Sequence, residues 1–216
     1  HTGALVSDSD AYNDFFHSTN IATVADYDEL IASLECAAIA RKMVGGTDLG
    51  IIGISGGQTA LACDVAELNG IGVATFGEAT KQRLLKALPG GSGSNPIDFG
   101  ATVNVDDRDT PEAIAAVFDD RNVGAVVAFQ DTQESLNPAT LANYMGILNV
   151  YAETGSAAPK PMVVVSPTSE NVDPGVRDLL ARHNVPLIRG LTPGLRAVGN
   201  LRLGRKDIAG AWAKER

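Results

Sequence analysis

Several things are scarce in this 216-residue chain. It has two cysteines and three histidines. Cys36 and Cys63 lie far apart within apolar helical patterns and are expected as reduced core thiols. They supply no disulfide framework, and with scattered histidines they make no zinc signature. Basic charge is also short: 17 Lys and Arg against 26 Asp and Glu leave a net charge of -9. Such a surface repels phosphate backbones, so no nucleic-acid partner is expected. A local anion site remains open, because a helix N-terminus binds anions without side-chain charge. No apolar run reaches the roughly 18 residues of a membrane span. No secretory leader opens the chain, and a cytoplasmic location is expected. The first residue is His1 and not methionine, so a fragment, inactive as an enzyme on its own, is expected.

The apolar fraction of 44% is enough for a proper core. Residues 1–46 read as an appendage. Asp8 to Phe16 places Tyr12, Phe15 and Phe16 on one helical face, and Ile21 to Val24 is a short strand candidate. Asp26 followed by Glu29 forms a capping-box pattern, and Leu30, Leu34 and Ala38 repeat at helical spacing up to Gly45-Gly46. One strand and two helices cannot bury much alone. The aromatic face therefore needs a cover, from another domain or from a second copy of the chain.

From residue 47 to about 200, strands and helices alternate. Leu49–Ile54 is apolar without alternation, as in a sheet covered on both faces. A helix from Thr59 carries Leu61, Val65 and Leu68, Gly72–Phe76 is a second strand, and Glu78–Leu88 a second helix. Ile97-Asp98-Phe99 leads into a longer loop. Ala125–Phe129, Met162–Val165 and Pro186–Ile188 are further strands, and X-Pro pairs at Thr110, Asn137, Asp173 and Thr192 start the helices between and after them. The pattern predicts a doubly wound parallel sheet of about five strands. Residues 201–216, with Trp212, are expected as a peripheral tail helix.

Ligands in such sheets bind at the carboxyl ends of the strands, here loops 55–58, 77–78, 130–136, 166–172 and 189–192. Ser55-Gly56-Gly57-Gln58-Thr59 leaves a buried strand and opens a helix. Its glycines permit a tight turn, and its free N–H groups suit phosphate or another anion; a turn serving only packing is the alternative. Neither a dinucleotide fingerprint nor a P-loop is present. Gly53-Ile54-Ser55-Gly56-Gly57 has nucleophile-elbow spacing. Its partner would be His183, better read as the C-terminal cap of a helix. Asn95-Pro96-Ile97-Asp98 is a proline-fixed bend whose polar side chains, Asn95 and Asp98, are aimed near one point. Asp106, Asp107 and Asp109 crowd one loop but lack the spacing of a calcium loop, and no metal site is expected.

Taken in order, these segments resemble the NDP-forming acyl-CoA synthetases, the relatives of succinyl-CoA synthetase and ADP-forming acetate–CoA ligase. His1-Thr2-Gly3-Ala4-Leu5 with Ser9-Asp10-Ala11-Tyr12 resembles the phosphohistidine segment. Ser55-Gly56-Gly57-Gln58-Thr59-Ala60-Leu61-Ala62-Cys63-Asp64 resembles the Gly-Gly turn and small-residue helix of that family, and Glu78–Leu84 with Leu88-Pro89 the stretch after it. Asn95-Pro96-Ile97-Asp98 matches an Asn-Pro-(Val/Ile)-Asp signature. The resemblance runs from residue 1 to about 190. It departs from the family in lacking a third glycine after Gly57.

The resemblance implies a flavodoxin-like domain over 47–200, with residues 1–46 the end of the phosphohistidine domain plus a linking helix. It implies that His1 carries a phosphoryl group and that the helix after Gly56-Gly57 points its N-terminus at it. CoA, ATP or ADP, and Mg would belong to the complete enzyme and none of them to this fragment. The implied partners are CoA-binding and ATP-grasp domains or subunits. The alternative is a non-catalytic domain that binds a small anion or another protein.

Overall fold

The computed structural model describes residues 9–19, 21–38, 48–100 and 109–203. Two helices come first, α1 (Ser9–Ser18) and α2 (Tyr27–Ala37). Then β1 (Asp48–Gly53), α3 (Gly56–Leu68) and α4 (Glu78–Ala87) lead to β2 (Ile97–Asp98). The remainder is α5 (Asp109–Asp119), β3 (Val123–Phe129), α6 (Pro138–Ala157), β4 (Met162–Ser166), α7 (Pro174–Arg182), β5 (Leu187–Arg189) and α8 (Leu191–Leu203). The strands form one parallel sheet in the order β2-β1-β3-β4-β5. This is the doubly wound, flavodoxin-like arrangement expected from the alternation.

Burial explains the apolar runs. Every residue of β3 and β4 is buried. Helices α4 to α7 cover one face, where Leu84, Ile114, Val117, Leu148, Tyr151 and Val176 join a single core. Helices α2, α3 and α8 cover the other, with Ala32, Cys36, Ala62, Ala66, Leu195 and Val198. Helix starts follow from their caps. Asn137 accepts from Thr140 N–H, and Asp173 from Gly175 and Val176 N–H, each just before a proline at the first helical position. Asp26 accepts from Glu29 N–H at 2.8 Å, and Glu29 reaches back to Ala25 N–H at 2.8 Å. Buried Glu29 also accepts from Arg196 Nε at 2.8 Å, tying α2 to α8.

The β1 edge departs from expectation. Gly72–Phe76 is not a full strand; only Val73 bridges Leu49. Ile97–Asp98 pairs instead with Ile52–Gly53 as β2. The neighbour of β1 is thus split in two, and the Asn95 side chain fills the gap. Its Oδ1 accepts from Ile51 N–H at 2.9 Å, and its Nδ2 donates to Leu49 O at 2.8 Å and Ala74 O at 2.9 Å. One carboxamide does the work of a missing peptide group.

Other expectations also change. Residues 21–24 form no strand. In α3 the buried residues are Thr59, Ala62 and Ala66, while Leu61 and Leu68 are 52% and 84% exposed. The helix lies close to the sheet through its small residues, which turns the leucines outward. In α2 the buried residues are Glu29, Ala32 and Cys36, and Leu30 and Leu34 are exposed. The aromatic group on α1 holds together, with Tyr12 stacked on Phe16 and Phe15 edge-on to it, yet Tyr12 and Phe15 remain exposed. Gly45, Gly46, Asp106, Asp107 and Trp212 lie outside the described residues.

A second polar node sits at the start of β3. Asp120 accepts from Gly77 N–H at 2.7 Å and Asn122 N–H at 2.9 Å, while Lys160 Nζ donates to Asp120 O. Burial pushes the Asp120 carboxyl up. Hydrogen bonds from Thr80, Asn122 and Gly77, with the Lys160 charge, outweigh burial and hold it below its usual 3.8. A depressed carboxyl stabilises the fold above its unfolded pKa and loses that contribution as pH falls through the folded one. The stability gap between wild type and Asp120→Asn should therefore be constant near neutrality and shrink below pH 3.8, read by urea melts across pH. At the sheet edge, Asn95→Ala strands Ile51 N–H and removes three hydrogen bonds. It should cost about 2–4 kcal/mol in urea denaturation, and Asn95→Asp should not rescue it, because the donors are lost.

Candidate anion site at the switch point of the sheet

The chain leaves β1 toward β2 on one side and returns to β3 on the other. The carboxyl ends of β1 and β3 therefore flank the switch point, where open α/β sheets form their crevice. The 55–59 turn lies there. Ser55 is the N-cap of α3, with extended backbone, and its Oγ accepts from Gln58 N–H at 3.4 Å. Thr59 N–H bonds Ser55 O at 3.0 Å. Among the described residues the N–H groups of this turn left without a partner are thus those of Gly56 and Gly57, because Ser55 serves Gln58 and Thr59. Both glycines are exposed. Gly57 has open space where a side chain would begin, its nearest neighbour being Ser55 Oγ at 4.0 Å.

The other expected residues divide. Thr59 is buried, and its hydroxyl bonds Ser55 O and Gly56 O at 3.2 Å, so it shapes the turn from below and offers nothing to a ligand. Asn95 and Asp98 do not converge on one point. Asn95 is built into the sheet edge as described, whereas Asp98 ends β2 beside the turn. A Cβ on Gly56 would stand 2.7 Å from Asp98 Oδ2, so glycine is what lets the two approach. Asp98 also accepts from Gly100 N–H at 2.8 Å. His1 lies outside the described residues. The elbow reading fails on topology: His183 is the C-cap of α7, which ends at the amino edge of the sheet, opposite Ser55.

Sequence reading missed the residues of the β3 loop. Gln58 Nε2 donates to Asp131 Oδ2 at 3.0 Å. Gln133 Nε2 donates to Asp131 Oδ1 and to Thr168 Oγ1, each at 3.1 Å. This chain of bonds crosses the carboxyl rim from α3 to the loop after β4. Buried beside it, Gln130 Oε1, Thr132 Oγ1, Gln133 Oε1 and Ser166 Oγ find no hydrogen-bond partner among the described residues. The signal was a run of polar residues, Gln130 to Gln133, directly after seven apolar ones. The rim thus offers two backbone donors flanked by two carboxylates, Asp98 and Asp131. That arrangement can hold a small anion weakly at the helix N-terminus. No cluster of three or more His, Cys, Asp or Glu that could hold a metal occurs among the described residues. Nor is any described helix long and apolar enough to cross a membrane.

No family model matches the chain, and neither does any curated protein. Solved structures do. The crystal structure of PH0766 from Pyrococcus horikoshii OT3 is similar over 90% of this chain, with TM-score 0.69 and 20% identity. The dinucleotide forming acetyl-coenzyme A synthetase 1 of Ca. Korarchaeum cryptofilum is similar over 94% in its apo form, with TM-score 0.66 and 18% identity. Its complex with phosphate and ADP is similar over 95%, with TM-score 0.67 and 20% identity. This chain spans 43% of the length of each. At such identities the likeness establishes a shared fold over part of those longer chains.

The Gly56–Asp98 approach makes a direct prediction. Gly56→Ala should destabilise the fold by about 1–3 kcal/mol through overpacking. The same substitution in an Asp98→Ala background should cost much less, as a double-mutant cycle in urea would measure.

Proposed function

We propose that this chain contributes the phosphohistidine-stabilising domain of an NDP-forming acyl-CoA synthetase, which converts acid, CoA and NTP to acyl-CoA, NDP and phosphate. The observation that carries this reading is the pair of free N–H groups at Gly56 and Gly57, at the N-terminus of α3 and at the switch point of the sheet. The distant match to an acetyl-coenzyme A synthetase solved with phosphate and ADP supports it.

In this reading His1 carries the phosphoryl group. Gly56 and Gly57 donate to its oxygens, Ser55 fixes the turn by capping Gln58, and the α3 dipole adds roughly 0.3–1 kcal/mol. Asp98 and Asp131 oppose a free anion, so affinity for phosphate alone is low. A phosphohistidine docking from nearby needs little affinity, because proximity supplies effective concentration. CoA, nucleotide and Mg are held by CoA-binding and ATP-grasp partners, which supply the acyl and nucleotide chemistry.

Titration of the chain with inorganic phosphate, followed by backbone amide shifts, tests the site. Shifts centred on Gly56 and Gly57 with affinity on the order of millimolar are expected. Gly57→Val, whose side chain would stand in the approach path, should abolish them without unfolding the sheet. Silence at 55–58 with a response at another loop would assign the anion role elsewhere.

A further inference from the structure

Among the described residues the sheet ends at β5, and no strand pairs with the outer side of β5. On its inner side, Val164 N–H donates to Pro186 O and Gly190 N–H donates to Ser166 O, each at 2.9 Å, with Ile188 paired to Val165 between them. In a parallel ladder, alternate residues bond the same neighbour. The peptide groups of Leu187 and Arg189 therefore face away from β4, and among the described residues nothing bonds them.

A groove of about 1200 Å³ runs past this edge, between α2 and α7. That exceeds the roughly 300–1,000 Å³ of clefts for drug-sized ligands. Apolar side chains line both sides, Ile31 from α2 and Leu180 from α7. The charges are segregated: Asp28 and Glu35 come from α2, Arg177 from α7 and Arg189 from β5. Among the described residues neither arginine forms an ion pair, and the contact of Arg189 Nη1 with Ser169 O is long, at 3.5 Å. Burial pushes the Glu35 carboxyl up, and the Arg177 and Arg189 charges draw it back, so the two walls sense each other without meeting.

We propose that this groove takes an extended peptide strand from another polypeptide, paired to the Leu187–Arg189 edge, with acidic side chains toward Arg177 and Arg189 and basic ones toward Asp28 and Glu35. An extended strand satisfies the two features together. Its backbone completes the free edge, and its successive side chains point to opposite walls. A small organic anion would answer the arginines but leave the edge unpaired. A second copy of β5 would bring a second Arg189 to the same short edge and supply no acidic side chain to either. The proposal stands independently of the phosphotransfer reading.

The probe is the blocked peptide Ac-Glu-Lys-Val-Val-Glu-Lys-NH2, titrated into the 216-residue chain with amide-shift detection. Shifts should appear at Leu187, Arg189 and the facing residues of α2 and α7. N-methylation at alternate peptide positions should weaken binding about tenfold or more, since main-chain bonds carry the affinity. All-Glu and all-Lys peptides of the same length should bind about fivefold or more weakly, as should the original peptide to the Arg177→Gln/Arg189→Gln variant. Circular dichroism checks that this variant is folded, and Glu35→Gln gives a second charge readout. Failure of the peptide to shift 187–189, equal binding of its N-methylated form, or a concentration-dependent dimer mapped to β5 would each overturn the proposal.

Discussion

The sheet depends on one side chain that behaves as backbone. β1 lies inside the sheet, between β2 and β3, and is buried from Leu49 onward, so its N–H and C=O groups need partners on both sides. β3 supplies one side in full. On the other, the chain offers a single residue at Val73 and two at Ile97–Asp98, and the Asn95 carboxamide spans the interval. Because that bond set ties β1 to both partial strands, it fixes the height at which Asp98 ends β2. It thereby fixes the approach of Asp98 to Gly56 and the floor of the anion turn. Sheet edge and candidate site are one construction.

This is why part of the fold could be read from the sequence and part could not. Continuous apolar runs such as Val123–Phe129 and Met162–Ser166 announce strands covered on both faces, and the Asn137-Pro138 and Asp173-Pro174 pairs announce helix starts. The capping signal of Asp26 and Glu29 was equally local. The split edge was not, because Gly72–Phe76 looks like a strand unless one knows that a distant asparagine will occupy its place. Helix faces were misjudged for a related reason. In α3 the sequence offers a leucine face and an alanine face, and size suggests burying the leucines. The sheet instead takes the face with the smaller residues, which allows the closer approach.

The site divides in the same way. A Gly-Gly turn between a buried strand and a helix is visible in sequence, and it lies where expected. Which N–H groups remain free was decided by the Ser55 cap, a matter of a single hydrogen bond. The carboxylates beside the turn come from β2 and the β3 loop, far away in the chain, and only the sheet order brings them together. They place negative charge beside the two backbone donors, which weakens the pull of the helix N-terminus on a free anion.

The most direct test of the central claim is to follow the phosphoryl group. The chain, joined to CoA-binding and ATP-grasp partners, is incubated with NTP labelled at the γ-phosphate, and acid-labile protein label is mapped. The account predicts label on His1 that is absent in His1→Ala and is discharged by CoA with a carboxylic acid. Label at another residue, or turnover of acid and CoA with no labelled protein, would contradict it.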